Sequence, residues 1–194
     1  MYNILLDPLP TDYEGWLIRT DFRVGIQISI AMSDRTLADA DKTAVAYHLL
    51  YGNSIPPAEI AAEGLKWFLR AGAEVNEIPK DNDPPAFFWD FDSGRIWASF
   101  KATFGIDLHT AKMHWFEFCN LMASVGKGTS LTNAMEVRSF STKDLKGTER
   151  AKIVKAKMAL TPPVQKTEEE KAEEATLKKE MDNLMRAVTE DARS

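Results

Sequence analysis

Between residues 108 and 125, Leu108, Ala111, Trp115, Phe118, Met122 and Val125 recur at intervals of three or four. That spacing puts them on one stripe of an α-helix. Phe116 and Leu121 widen the stripe, and Gly126-Lys127-Gly128 ends it. A helix with so broad an apolar face must be covered by other elements, so it is expected at the centre of the core.

The rest of the chain supplies those elements. Tyr2–Leu6 and Tyr13–Ile18 are short apolar runs separated by Asp7-Pro8-Leu9-Pro10, and they predict a small hairpin or a pair of short strands. Thr20-Asp21 offers an N-cap for a helix through Phe22, Ile26, Ile28 and Ile30. Residues 35–51 place Leu37, Ala40, Ala44, Tyr47 and Tyr51 at helical spacing, with Gly52 as a stop. Pro56-Pro57 opens a helix through Ile60, Leu65, Phe68 and Leu69, and residues 77–85 read as a polar loop. Asp92-Ser93 can cap a helix through Ile96, Trp97, Phe100 and Phe104 that stops at Gly105. A short helix through Leu131 and Met135 and a basic helix over about 148–160 complete a domain that Pro162-Pro163 closes. The expected fold is mainly α. It has N-terminal strands and a compact multi-helix domain over residues 1–161, then a charged, helical or partly disordered extension over 164–194.

Composition narrows the function classes. Five Trp, ten Phe and eight Met among 194 residues supply a real core, and no apolar run approaches the roughly 18 residues needed to span a bilayer. The start lacks the basic n-region and long apolar core of a signal peptide. A single cysteine, Cys119, excludes an internal disulfide framework. A cytoplasmic protein that does not engage a membrane is expected. The net charge of −5 divides unevenly: −7 over residues 1–126, +5 over 127–161 and −3 over 162–194. This asymmetry raises the prospect of self-association or of a partner with complementary charge.

Tests for chemistry fail one after another. His109 and His114 are five apart, about 140° around a helix, so they cannot share a face, and His114 with Cys119 fails alike. Asp90-Phe91-Asp92-Ser93-Gly94 lacks the spacing of a calcium loop, and Gly126-Lys127-Gly128-Thr129 lacks that of a phosphate loop. Cys119 lies beside the central stripe and reads as a small core residue, and no nucleophile, base and orienting group are marked out together. No enzyme, metal or cofactor is expected. On the basic helix, Arg150 and Lys157 point away from Lys152 and Lys155, so the four do not form one stripe for a phosphate backbone.

Beyond Pro163 the sequence turns to Glu, Lys and Ala, with Leu177, Met181, Leu184 and Val188 in a narrow stripe of about two heptads. These four residues are the candidate partner-binding site. The plainer alternative is a solvated, partly frayed helix.

Several segments carry a resemblance. They are Phe91-Asp92-Ser93-Gly94-Arg95-Ile96-Trp97-Ala98-Ser99-Phe100, Phe104-Gly105-Ile106-Asp107-Leu108 and His114-Trp115-Phe116-Glu117-Phe118. With Leu9-Pro10, Thr20-Asp21-Phe22-Arg23, Arg138-Ser139 and Asp144-Leu145, they resemble a family of small proteins from long-tailed phages and prophages of Gram-positive bacteria, catalogued after a phage's fifteenth gene product. The resemblance runs from about residue 3 to residue 160. It implies a tail-assembly protein, similar to the chaperones that coat the tape-measure protein while the tail tube polymerises, and it brings no catalytic or ligand residues. The tape-measure protein, another tail protein or a second copy of the chain are the expected partners. The alternative is a nucleic-acid-associated phage protein using residues 127–161.

Overall fold

The computed structural model describes residues 3–72, 86–163 and 165–191, so the loop expected over 77–85 lies outside them. Among the described residues the chain is mainly α, with eight helices behind one two-stranded hairpin. Strands β1 (Asp12–Tyr13) and β2 (Trp16–Leu17) pair antiparallel, Tyr13 opposite Trp16. Glu14 and Gly15 both take positive φ in the two-residue loop, the backbone that matches a tight hairpin to strand twist. The hairpin therefore falls on the second apolar run, beginning one residue before it at Asp12. Among the described residues of the first run there is no strand: Leu6 and Asp7 donate their N–H groups to the Asn3 carbonyl, forming a turn.

Helices α1 (Phe22–Ser33), α2 (Asp39–Tyr51) and α3 (Ala58–Leu69) follow. The Asp21 carboxylate caps α1 by accepting from the Arg23 N–H at 2.9 Å. Helix α2 starts four residues later than the pattern from 35 suggests. It buries Ala46, Leu50 and Tyr51, while Ala40 and Ala44 face solvent. Packing against α1 and α3 decides which side is covered, and weak amphipathicity left that choice open in the sequence.

Helix α4 (Ser93–Phe104) ends at Gly105 in the left-handed region. The central helix, α5, is shorter than its stripe, Trp115–Ala123, with Leu108 and Ala111 in the preceding loop. Two interactions hold that loop out of the helix. Arg23 donates to the carbonyls of Leu108, His109 and Ala111. A β-bridge joins Asp21 to His114, with Phe22 N–H to Met113 O at 3.1 Å and Trp115 N–H to Thr20 O at 2.7 Å. His114 then caps α5: its Nδ1 accepts from the Phe116 N–H at 3.0 Å and its Nε2 bonds the Pro10 carbonyl at 2.8 Å. Because Nδ1 accepts, Nε2 carries the proton.

The core is aromatic and centred on α5. Phe118 stacks between Phe22 and Phe100, with centroids 4.9 and 5.0 Å away, and Trp115 lies against Phe68 and Phe118. Helix α6 (Ser130–Ser139) runs antiparallel to α4, since Ser99 Oγ accepts the Leu131 N–H while Arg138 reaches Asp92. Helix α7 (Gly147–Ala159) packs on α6, and α8 (Glu168–Asp191) follows the Pro162-Pro163 break. No helix among the described residues is long and apolar enough to cross a membrane.

Gly25 lets the chain close here: a Cβ at that position would overlap the Trp115 indole. Gly25→Ala is expected to cost about 1–3 kcal/mol in chemical denaturation through overpacking. Burial holds the His114 pKa below 6.5 against the opposing pull of the Pro10 carbonyl and Glu117. A histidine kept neutral in the fold stabilises it fully above pH 6.5, and that stability is lost as the pH falls below this value. The melting temperature is therefore expected to drop from pH 7 to pH 5, and to drop less in His114→Asn, which keeps a capping side chain.

Candidate functional site

The loop before α4 brings Phe87, Phe88, Trp89 and Phe91 to one edge of the helical body, and a buried ion pair fixes it there. Asp92 is fully buried. Its carboxylate receives Arg138 Nη1 and Nη2 at 2.7 and 2.8 Å, Arg95 Nη1 at 2.7 Å and the Phe88 N–H at 2.9 Å. Arg138 spends its remaining donors on the Ala86 carbonyl at 3.1 Å and, through Nε and Nη2, on the Leu160 carbonyl at 2.8 and 2.6 Å. The guanidinium also lies 5.1 Å from the Phe88 ring centroid.

Asp92 occupies the position before α4 but does not cap it, contrary to the local expectation. Its oxygens are taken by Arg138, a partner 46 residues away. Burial opposes ionisation at Asp92, yet the bonds from Arg138, Phe88 and Arg95 outweigh it and hold the carboxyl below its ordinary 3.8.

This edge forms one wall of an open groove of about 840 Å³. The end of α1, with Ile30 and Arg35, forms the second wall, and Pro162-Pro163 the third. Trp89 is anchored against Trp115 and Phe118, and it lines the groove together with Phe87, Phe88 and Phe91. The lining is mainly apolar. No local sequence pattern announces the groove, because its walls come from three segments distant in the chain.

The sequence-predicted residues lie elsewhere. Helix α8 forms, and Leu177 and Met181 are 67% and 64% exposed on it. The helix continues through Leu184 and Val188, whose side chains lie outside those described. The N-terminal turn of α8 meets the body through exposed contacts from Arg35, to Glu170 at 3.2 Å and to the Gln165 carbonyl at 3.5 Å.

Burial pushes the Cys119 thiol up to about 12, far from a reactive thiolate. Asp107 accepts from Trp97 Nε1, the His109 N–H and Lys101 Nζ, which brings it down to about 2. No group of three His, Cys, Asp or Glu among the described residues is placed to hold a metal.

Residues 5–161 match the bacteriophage Gp15 protein family. The chain belongs to it. No curated protein and no solved structure matches significantly. The Gp15 region runs from the N-terminal turn through α7 and includes both partners of the buried ion pair and the α1 and aromatic walls of the groove. Helix α8 lies outside it.

Breaking the ion pair tests the rigidity of this Gp15 edge. Arg138→Met leaves a buried carboxylate uncompensated and is expected to cost about 3–5 kcal/mol at pH 7 by urea denaturation. Asp92 contributes stability above pH 3.8 that is lost as the pH falls through its lower folded value. In the variant, protonation relieves the buried charge, so the gap to the native protein should narrow at pH 3.

Proposed function

We propose that the chain is a phage tail-assembly chaperone that binds the tape-measure protein while the tail tube forms. The observation that carries this is the apolar groove between the aromatic edge, α1 and Pro162-Pro163. A tape-measure protein exposes long apolar helical stripes before the tube encloses it, and such stripes aggregate when uncovered. The groove suits a few side chains of such a stripe in helix-in-groove fashion. Its aromatic wall is held in place by Asp92 and Arg138, which reduces the ordering cost of binding. Membership of a bacteriophage family supports the setting.

Co-expression of the full chain with the tape-measure protein of the same phage should yield a soluble complex. Ile30→Glu with Phe91→Glu puts charge into the groove and should weaken the complex by about 2 kcal/mol, roughly 30-fold in Kd. An insoluble tape-measure protein with no complex recovered would overturn the proposal.

A further inference from the structure

Helix α7 carries no buried residue, and its outward face is unusual. Ile153, Ala156 and Leu160 turn toward the body, leaving Ala151, Val154 and Met158 on the opposite side, with Met158 72% exposed. Helical geometry sets this apolar stripe between two basic flanks, Arg150 with Lys157 and Lys155 with Lys152. None of the four cations has an ion-pair partner among the described residues. The same two pairs that fail to make a phosphate track therefore frame an apolar contact.

Helix α8 is the electrostatic counterpart. Leu177 and Met181 lie between Glu173 and Glu180 on one side and Glu174 with Lys178 on the other, and Glu170 is in line with the stripe two turns before Leu177. Glu170 and Glu174 are engaged by Arg35 and Lys166, whereas Glu173 and Glu180 hold no ion pair among the described residues. Lys179 lies on the far side of the helix.

From this complementarity we infer that the chain self-associates, α8 of one copy packing its stripe, with the free acidic flank of Glu173 and Glu180, on the base-flanked stripe of α7 in a second copy. Within one molecule the two stripes stay apart: Leu177, Met181, Val154 and Met158 are all solvent-exposed, while Arg35 ties the start of α8 to the end of α1. A two-fold pair makes the contact twice, each α8 lying on the partner's α7. At 24 residues, about 36 Å, α8 is long enough to cover the 13-residue α7 from end to end. Apolar contact supplies the affinity, and the charged flanks set the register and reject like-charged partners. The surface is separate from the groove, so this inference does not rest on the chaperone proposal.

Sedimentation of the full chain tests it. A dimer is expected whose Kd rises with salt, as exposed charge pairs require. Val154→Asp with Met158→Asp, or Leu177→Asp with Met181→Asp, should each weaken it at least about tenfold. All four positions are exposed, so the fold should survive, as circular dichroism will check. Deleting residues 164–194 should abolish the dimer and leave the melting temperature nearly unchanged.

Charge reversal decides where the contact lies. Arg150→Glu with Lys155→Glu, and Glu173→Lys with Glu180→Lys, should each yield mainly monomer alone. Mixed, the two variants should form a heterodimer, because both reciprocal contacts then pair opposite charges. A native chain that is monomeric at its highest soluble concentration overturns the inference. So does a dimer indifferent to these reversals, or a mixture that stays monomeric, as an intramolecular hairpin requires.

Discussion

Arg138 has five N–H donors, and all five are spent inside the protein. Asp92, in return, accepts four hydrogen bonds and has no exposed surface. Such a network is stable because it is complete; with one partner missing, the same groups would be desolvated without compensation. Its reach matters as much as its strength. The guanidinium fastens the aromatic loop through Ala86, the start of α4 through Asp92 and the end of α7 through Leu160, all from the last turn of α6. The groove wall, the α4–α6 pairing and the exit toward α8 share this one point.

The motifs that carry the family resemblance turn out to be joints of this kind. In Thr20-Asp21-Phe22-Arg23, Asp21 caps α1 and Arg23 gathers the carbonyls that precede α5. His114 caps α5 and reaches Pro10, while Asp107 ties its own loop to α4 through Trp97 and Lys101. These polar residues are committed to holding the segments between helices in place. The apolar surfaces left open are instead a groove between elements and stripes on the last two helices.

Helix identity was legible in the sequence where apolar spacing and punctuation agreed, as at Pro57 before α3 and Gly105 after α4. Legibility failed where a distant partner outbid a local preference. The central stripe predicted helix from Leu108, but Arg23 and the bridge to Asp21 hold residues 108–114 in another form. Asp92 read as a cap because its partner is on another helix. In the candidate site, Leu177 and Met181 could be placed on one stripe from spacing alone. The groove could not be foreseen, since no local pattern announces a space enclosed by three separate segments.

The separation of 46 residues between Asp92 and Arg138 also bears on the order in which the chain folds. The loop they close contains α4, α5 and nearly all of α6, and closing one of that length costs a few kcal/mol of chain entropy. Two charges cannot repay that cost early, because in an open chain they are better solvated by water than by each other. Apolar collapse of the aromatic residues around Phe118 must come first, and the guanidinium then enters a site already drained of water. A collapsed form with α4 and α6 out of register would trap both charges without partners. The ion pair thus acts as a late checkpoint on helix alignment, contributing selectivity among compact states more than the drive toward compactness.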